Sequence, residues 1–138
     1  MTVVFLNKGR LPAAIRSKTA LMAKAVTAAL KPHKVKGEVT VVFMSDAEIK
    51  ALNKHSLDHD YVTDVIAFNY DSPETFGDIT ICVPQAARQA KELGHSHLKE
   101  LVTLAAHGAL HLVGYRDHTP ALKKKMFRKQ DAIVAALV

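Results

Sequence analysis

The chain has 138 residues, 49% of them hydrophobic, with 19 lysines and arginines against 13 aspartates and glutamates, for a formal net charge of +6. That size and apolar fraction fit a single domain, residues 1–138, with one core, and exclude a disordered chain. One cysteine excludes an intrachain disulfide, and no stretch approaches the ~20 apolar residues of a membrane span. The amino-terminal run Met1-Thr2-Val3-Val4-Phe5-Leu6 is too short and lacks the basic leader of a signal peptide, so a cytoplasmic setting is expected. The basic balance favours a polyanionic partner such as nucleic acid, or an acidic membrane surface.

Val3-Val4-Phe5-Leu6 reads as a short strand closed by Asn7-Lys8-Gly9. Residues 12–30 carry apolar positions at roughly helical spacing (Ile15, Leu21, Met22, Ala25, Val26, Ala29, Leu30) before the stop at Pro32. The β-branched run 38–44 is a second strand. Ser45-Asp46-Ala47-Glu48 is a capping box that opens a short helix ending near Asn53. Residues 54–63 have no period and read as an exposed loop containing His55 and His59. Residues 64–70 and 77–83 are two further strands, paired as a hairpin across the turn Asp71-Ser72-Pro73-Glu74. Cys82 lies in the second of these as a buried strand residue.

Pro84 suits the first position of a helix that runs through Leu93 and stops at Gly94. Residues 96–112 are apolar nearly all round, which marks a buried central helix. Thr119-Pro120 then starts a last helix reaching about Leu137. Its Lys123-Lys124-Lys125, Arg128 and Lys129 make either a solvated face or a phosphate contact. The sum is an α+β domain: a small mixed four-stranded sheet packed with about five helices.

The central helix carries the chemistry. His107 and His111 are four residues apart, so both imidazoles share one helix face. Gly114 ends the helix and allows the chain to reverse, bringing Asp117 or His118 back toward the pair. Three such ligands with an open fourth position describe a catalytic zinc rather than a structural one. Zinc is the default metal for such a set, and nickel, copper or iron use the same donors. A metal there would activate water toward a phosphodiester or a carbonyl. Gly108 stands where the zincin motif H-E-x-x-H has its glutamate, which excludes a protease of that class.

The other candidates are weaker. Asp64 and Asp78 sit at strand starts, where aspartate is common; in a site they would hold a histidine tautomer or act as a general base. His55 and His59 are exposed loop residues unless they face the site as proton donors or phosphate contacts. His95 and His97 flank the start of the central helix, where capping or exposure accounts for them. His33, beside Pro32, is a surface residue.

The run His107-Gly108-x-Leu110-His111-Leu112-x-Gly114-Tyr115, closed by Asp117-His118, resembles the signature of the YbeY family of bacterial single-strand-specific endoribonucleases. Leu52-Asn53, Asp60-Tyr61-x-Thr63-Asp64-Val65-x-x-Phe68, Gly77-Asp78-Ile79 and Ala90-x-Glu92-Leu93-Gly94-His95 resemble further family segments in family order. The resemblance covers roughly residues 36 to 137. It implies a small α+β fold and one zinc held by three histidines, matching His107, His111 and His118. It also implies a cytoplasmic enzyme that works with the small ribosomal subunit on ribosomal RNA precursors, in 16S 3′-end maturation and ribosome quality control.

Two departures stand out. The family ends Gly-Tyr-Asp-His, whereas here Arg116 is inserted between Tyr115 and Asp117. Counted from Gly114, Asp117 takes the third ligand's place; by residue type, His118 does, and His118 is the expected ligand. The family arginine after Leu-Asn aligns with Leu57, which removes a phosphate grip. His59, at the usual lysine, and Arg116 are candidate substitutes, and with Asp64 they complete the catalytic candidates. The alternative from another class is a ribosome-assembly or RNA-binding factor whose metal is mainly structural. A metal-dependent hydrolase of another substrate fits the same ligands.

Overall fold

The computed structural model describes residues 1–70 and 72–138, so Asp71 of the expected turn lies outside the described residues. Strands β1 (Thr2–Leu6), β2 (Glu38–Met44), β3 (Val65–Asn69) and β4 (Thr75–Cys82) form one sheet in the order β1-β2-β4-β3. β1 and β4 both run parallel to β2, and β3 runs antiparallel to β4. The sheet is therefore mixed, as the connections require: a parallel pair needs a crossover, an antiparallel pair only a turn.

Period-two alternation sorts the strands' side chains onto two faces. Val39, Val41 and Phe43 of β2 and Ile79 and Ile81 of β4 are fully buried in the main core. Val65 and Ala67 of β3 pack onto the same core. The intervening residues Ile66 and Cys82 join Ile49 in a smaller cluster on the other face. The helices divide accordingly. α2 (Thr19–Leu30), α5 (His97–Leu112) and α6 (Pro120–Ala135) contribute to the main core, while α3 (Asp46–Leu57) supplies Ile49 to the smaller one.

The central helix is as buried as its composition predicts. In α5, Leu101, Val102, Ala105, Ala106, Ala109 and Leu110 are all fully buried, and each leucine or valine contributes about 1.5–3 kcal/mol by leaving water. Its seat on the sheet is close. A Cβ on Gly108 would stand 2.6 Å from Ile79 Cγ2 and 3.3 Å from Val65 Cγ2. A Cβ on Gly77 would stand 2.6 Å from the Phe68 carbonyl oxygen and 2.7 Å from Leu112 Cδ2. The residue that excludes a zincin is thus a packing requirement.

Six α-helices are present among the described residues, against about five expected, because the segment at 12–30 is split. α1 (Ala13–Arg16) ends where the apolar stripe lapses between Ile15 and Leu21, and the Arg16 guanidinium donates back to the Leu11 carbonyl at 3.0 Å. With no apolar face to bury there, nothing holds one continuous helix to the core. α3 runs four residues past the expected end at Asn53, to Leu57, and so takes in His55. Its final turn is exposed and needs no apolar period. Asp58 stops it in the left-handed region at φ 57°.

The remaining boundaries fall close to expectation. The Ser45–Glu48 capping box forms in full. α4 (Val83–Leu93) ends at Gly94, Ser96 caps α5, and the Thr119 hydroxyl accepts from the Leu122 N–H at the start of α6. No helix among the described residues is long and apolar enough to cross a membrane.

Cys82 is fully buried, and its S–H donates to Asp46 Oδ1 at 3.2 Å. Burial pushes its pKa up to about 11. The folded protein should accordingly resist iodoacetamide at neutral pH and react once unfolded in urea, as read by mass spectrometry. Gly77→Ala forces a methyl group against a backbone carbonyl, and is expected to cost about 1–3 kcal/mol. Urea titration should show a lower midpoint at an unchanged m-value.

Candidate metal centre

α5 presents His107 and His111 on one face, and their ring centroids are 4.6 Å apart. Each Nδ1 is committed. His111 Nδ1 lies 2.9 Å from the Tyr115 carbonyl oxygen. A carbonyl only accepts, so this nitrogen carries the hydrogen. His107 Nδ1 donates to Gln130 Oε1 at 2.7 Å. Burial, and then the neighbouring His107, hold the His111 pKa below its ordinary value, which favours the neutral ring. The tautomers are thereby fixed, and the two Nε2 atoms face each other across 3.1 Å.

Two nitrogen lone pairs converging in this way call for a positive charge between them. Asp117 adds the counterpart, with Oδ2 at 3.6 Å from both Nε2 atoms. The three donors lie within 4.8 Å of one another, which is metal-ligand spacing. Bonds of about 2.0–2.1 Å in a tetrahedral site would put two imidazole nitrogens roughly 3.3 Å apart. The donor set therefore fits a metal ion.

The backbone explains why these residues meet. Gly114 takes φ 98°, in the left-handed region. The turn is fastened by Gly114 N–H to the His111 carbonyl and Tyr115 N–H to the Leu110 carbonyl, each at 3.1 Å. Asn69 Nδ2 donates to the Leu112 carbonyl at 2.6 Å, satisfying an orphan acceptor at the end of α5. This turn delivers Asp117 to the imidazole pair. His118, the expected third ligand, is exposed and stands outside the clustered donors. The turn thus places Asp117, and not the residue after it, among the clustered donors.

The other candidates separate by location. Asp64 accepts from the Val65 N–H at 2.7 Å and from Gln89 Nε2 at 3.2 Å. It lines a cavity of about 570 Å³ that also reaches His107. Gln89 donates in addition to Glu100 Oε2 at 2.9 Å, and Glu100 Oε1 lies 2.8 Å from His95 Nε2. Glu100 is buried. His95 and His97 are half-buried and hydrogen-bonded, His97 Nε2 to the Val83 carbonyl at 3.0 Å, so neither is simply a solvent-exposed cap. Asp78 accepts from the Tyr70 hydroxyl at 2.9 Å and shares a cleft with Met44 and Leu52, on the α3 side of the sheet.

On the His111 side, His59 and Arg116 share a cleft of about 490 Å³ with Leu57, Tyr61 and His111. The Arg116 guanidinium donates to the same Tyr115 carbonyl that receives His111 Nδ1, at 3.1 Å. A second cleft, about 730 Å³, joins His111 and Arg116 to Lys34 and Lys36. His33 is exposed at its edge, as expected, and meets the Tyr115 ring edge-on at 6.3 Å.

Two supporting residues escape sequence reasoning. Gln130 sits on the buried stripe of α6 with Met126, Ile133 and Val134. A lone polar residue on an apolar stripe is the one signal that marks it. Phe127 meets His107 edge-on at 5.7 Å. Nothing in the sequence marks the Tyr115 carbonyl as an acceptor. Lys123, Lys124, Lys125 and Arg128 of the same helix are exposed. Replacing Gln130 by Leu removes the acceptor for His107 Nδ1 while keeping the volume. Metal affinity, read by competition with a chromophoric chelator, should fall roughly 10–100-fold.

The profile of the family described as "Endoribonuclease YbeY" matches residues 7–138. A protein from Elusimicrobium minutum with that name is 43% identical, the match covering 91% of this chain and 92% of its own. A namesake from Staphylococcus aureus is 42% identical over 72% of each chain. A solution structure of a Thermotoga maritima protein superposes with a TM-score of 0.68 at 26% identity, covering 99% of this chain and 89% of its own.

Proposed function

The chain belongs to the YbeY endoribonuclease family, and from that footing we propose that it is a zinc-dependent endoribonuclease acting on single-stranded ribosomal RNA precursors. Its substrate is the 16S 3′ end, met on the small ribosomal subunit in the cytoplasm during late maturation and quality control. The observation that carries the reading is the convergence of the His107 and His111 Nε2 atoms on one point beside the Asp117 carboxylate. The net charge of +6 and the lysine-bearing cleft beside His111 support a polyanionic substrate.

In this reading His107, His111 and Asp117 hold the metal. Asp117 takes the third place on geometry, in preference to His118. A bound zinc supplies Lewis acidity at the phosphoryl group. Gln130 and the Tyr115 carbonyl, by accepting from Nδ1, leave the lone pair of each neutral ring on Nε2. Arg116, exposed beside His111, offers a guanidinium to the phosphate and takes over from the arginine that Leu57 replaces. Lys34 and Lys36 bind neighbouring phosphates along the second cleft. Asp64, one hydrogen bond on each oxygen, positions the Gln89–Glu100 chain on the far side of His107.

One observation favours a second reading, an RNA-binding assembly factor with a structural metal. Leu57 is 45% exposed in the cleft where a phosphate grip is expected. Chelation would then lower the melting temperature of a protein that binds RNA without cutting it.

The test pairs cleavage with metal content. Chelation and His111→Ala should each abolish cutting of a single-stranded RNA, and zinc should restore only the chelated protein. Asp117→Ala should lose bound metal by elemental analysis, while His118→Ala keeps it; the reverse pattern returns the third place to His118. Cutting that survives both chelation and His111→Ala removes the metal from the reaction.

A further inference from the structure

The loop after α3 contains an aromatic pair that the metal centre does not use. The His59 and Tyr61 rings stack with centroids 5.3 Å apart and planes 14° apart, and the Tyr61 hydroxyl lies 3.1 Å from His59 Nδ1. Tyr61 is 53% exposed, so much of its ring is open to solvent. It is nevertheless held in place. Buried Asn53 donates Nδ2 to the Tyr61 carbonyl at 3.1 Å, and the Asn53 carbonyl accepts from the His59 N–H at 3.2 Å. One buried amide residue therefore fixes the backbone at both members of the pair.

The pair opens on a cleft that His111 of the candidate metal centre also lines. That space, about 490 Å³, is bounded by Leu57 and Tyr61 at one part and by His111 and Arg116 at another. Its size is in the range of clefts that take small ligands, roughly 300–1,000 Å³. An aromatic face, an apolar wall and a guanidinium in one cleft match the three parts of a nucleotide: the base's π-face, its edge and its phosphate. We propose that Tyr61, braced by His59, is a stacking platform for one unpaired base of the RNA beside the phosphate that reaches the metal centre.

The inference rests on the RNA reading of this site and adds to it. It gives Leu57 a role as the apolar flank of the base in place of a phosphate grip. It also gives a physical cause for single-strand preference, because a paired base in a duplex has both faces covered by its neighbours. Stacking of this kind tolerates any base, so the platform selects for unpaired structure and not for sequence.

The test uses the zinc-loaded protein and short oligoribonucleotides carrying 2-aminopurine at one position at a time, read by stopped-flow before turnover. One position should be quenched on binding. Tyr61→Ala should lose that quench and bind about tenfold more weakly, while Tyr61→Phe keeps both. An abasic nucleotide at the same position should weaken binding to the unaltered protein by a similar factor, and add little to Tyr61→Ala. Tyr61→Ala binding within about twofold of the unaltered protein, with the quench intact, overturns the platform and leaves the substrate reading standing. If the unaltered protein binds no single-stranded RNA, both fall together.

Discussion

The seating of α5 on the sheet is the contact on which the rest of this molecule depends. Two glycines permit it: Gly108 on the helix, against Ile79 and Val65, and Gly77 on β4, against Leu112 and the Phe68 carbonyl. Such closeness fixes more than a distance. Successive helix residues are rotated by about 100°, so the rotation of α5 about its axis decides where every side chain stands. His107 and His111 flank Gly108 in sequence. A helix that rolled to relieve an added methyl would carry both imidazoles with it and open the 3.1 Å approach of their Nε2 atoms.

Position alone would not make these histidines a site. His95 and His97 are also half-buried and hydrogen-bonded, yet each engages a separate partner, Glu100 and the Val83 carbonyl. What distinguishes His107 and His111 is that their outer nitrogens are occupied by acceptors, so their inner nitrogens converge as bare lone pairs. Asp117 completes the set from a turn that the same helix end creates. The centre is therefore built from one helix, the turn that stops it and one residue of α6.

Much of this was legible in the sequence. Short apolar and β-branched runs bounded by turn residues located all four strands, and Ser45, Thr119 and Gly94 marked helix ends through local chemistry that any context preserves. The spacing of His107 and His111 announced the centre because helical geometry is also local. What could not be read depends on distance in the chain. Gln130 meets His107 from 23 residues away, and its role appears only when α6 docks. At the third donor, residue type and position diverge: residue type points to His118, while the turn at Gly114 places Asp117 beside the imidazole pair. The helical turn after Asn53 is exposed and has no apolar period, so its sequence pattern does not distinguish it from a loop.

The single polar residue on the buried stripe of α6 has a thermodynamic corollary. Gln130 is nearly inaccessible to solvent, and its oxygen is the acceptor that orients the His107 ring. A cation that takes the two inner lone pairs therefore binds the chain with α6 docked better than the chain with α6 detached. Linkage makes the preference mutual: occupancy of the centre strengthens the docking of α6 by the same free energy that docking lends to occupancy. Because α6 follows α5 in the chain, His111 has its Tyr115 acceptor before α6 docks, whereas His107 lacks the Gln130 acceptor until it does. A cation held by this pair would therefore gain affinity as α6 folds against α5.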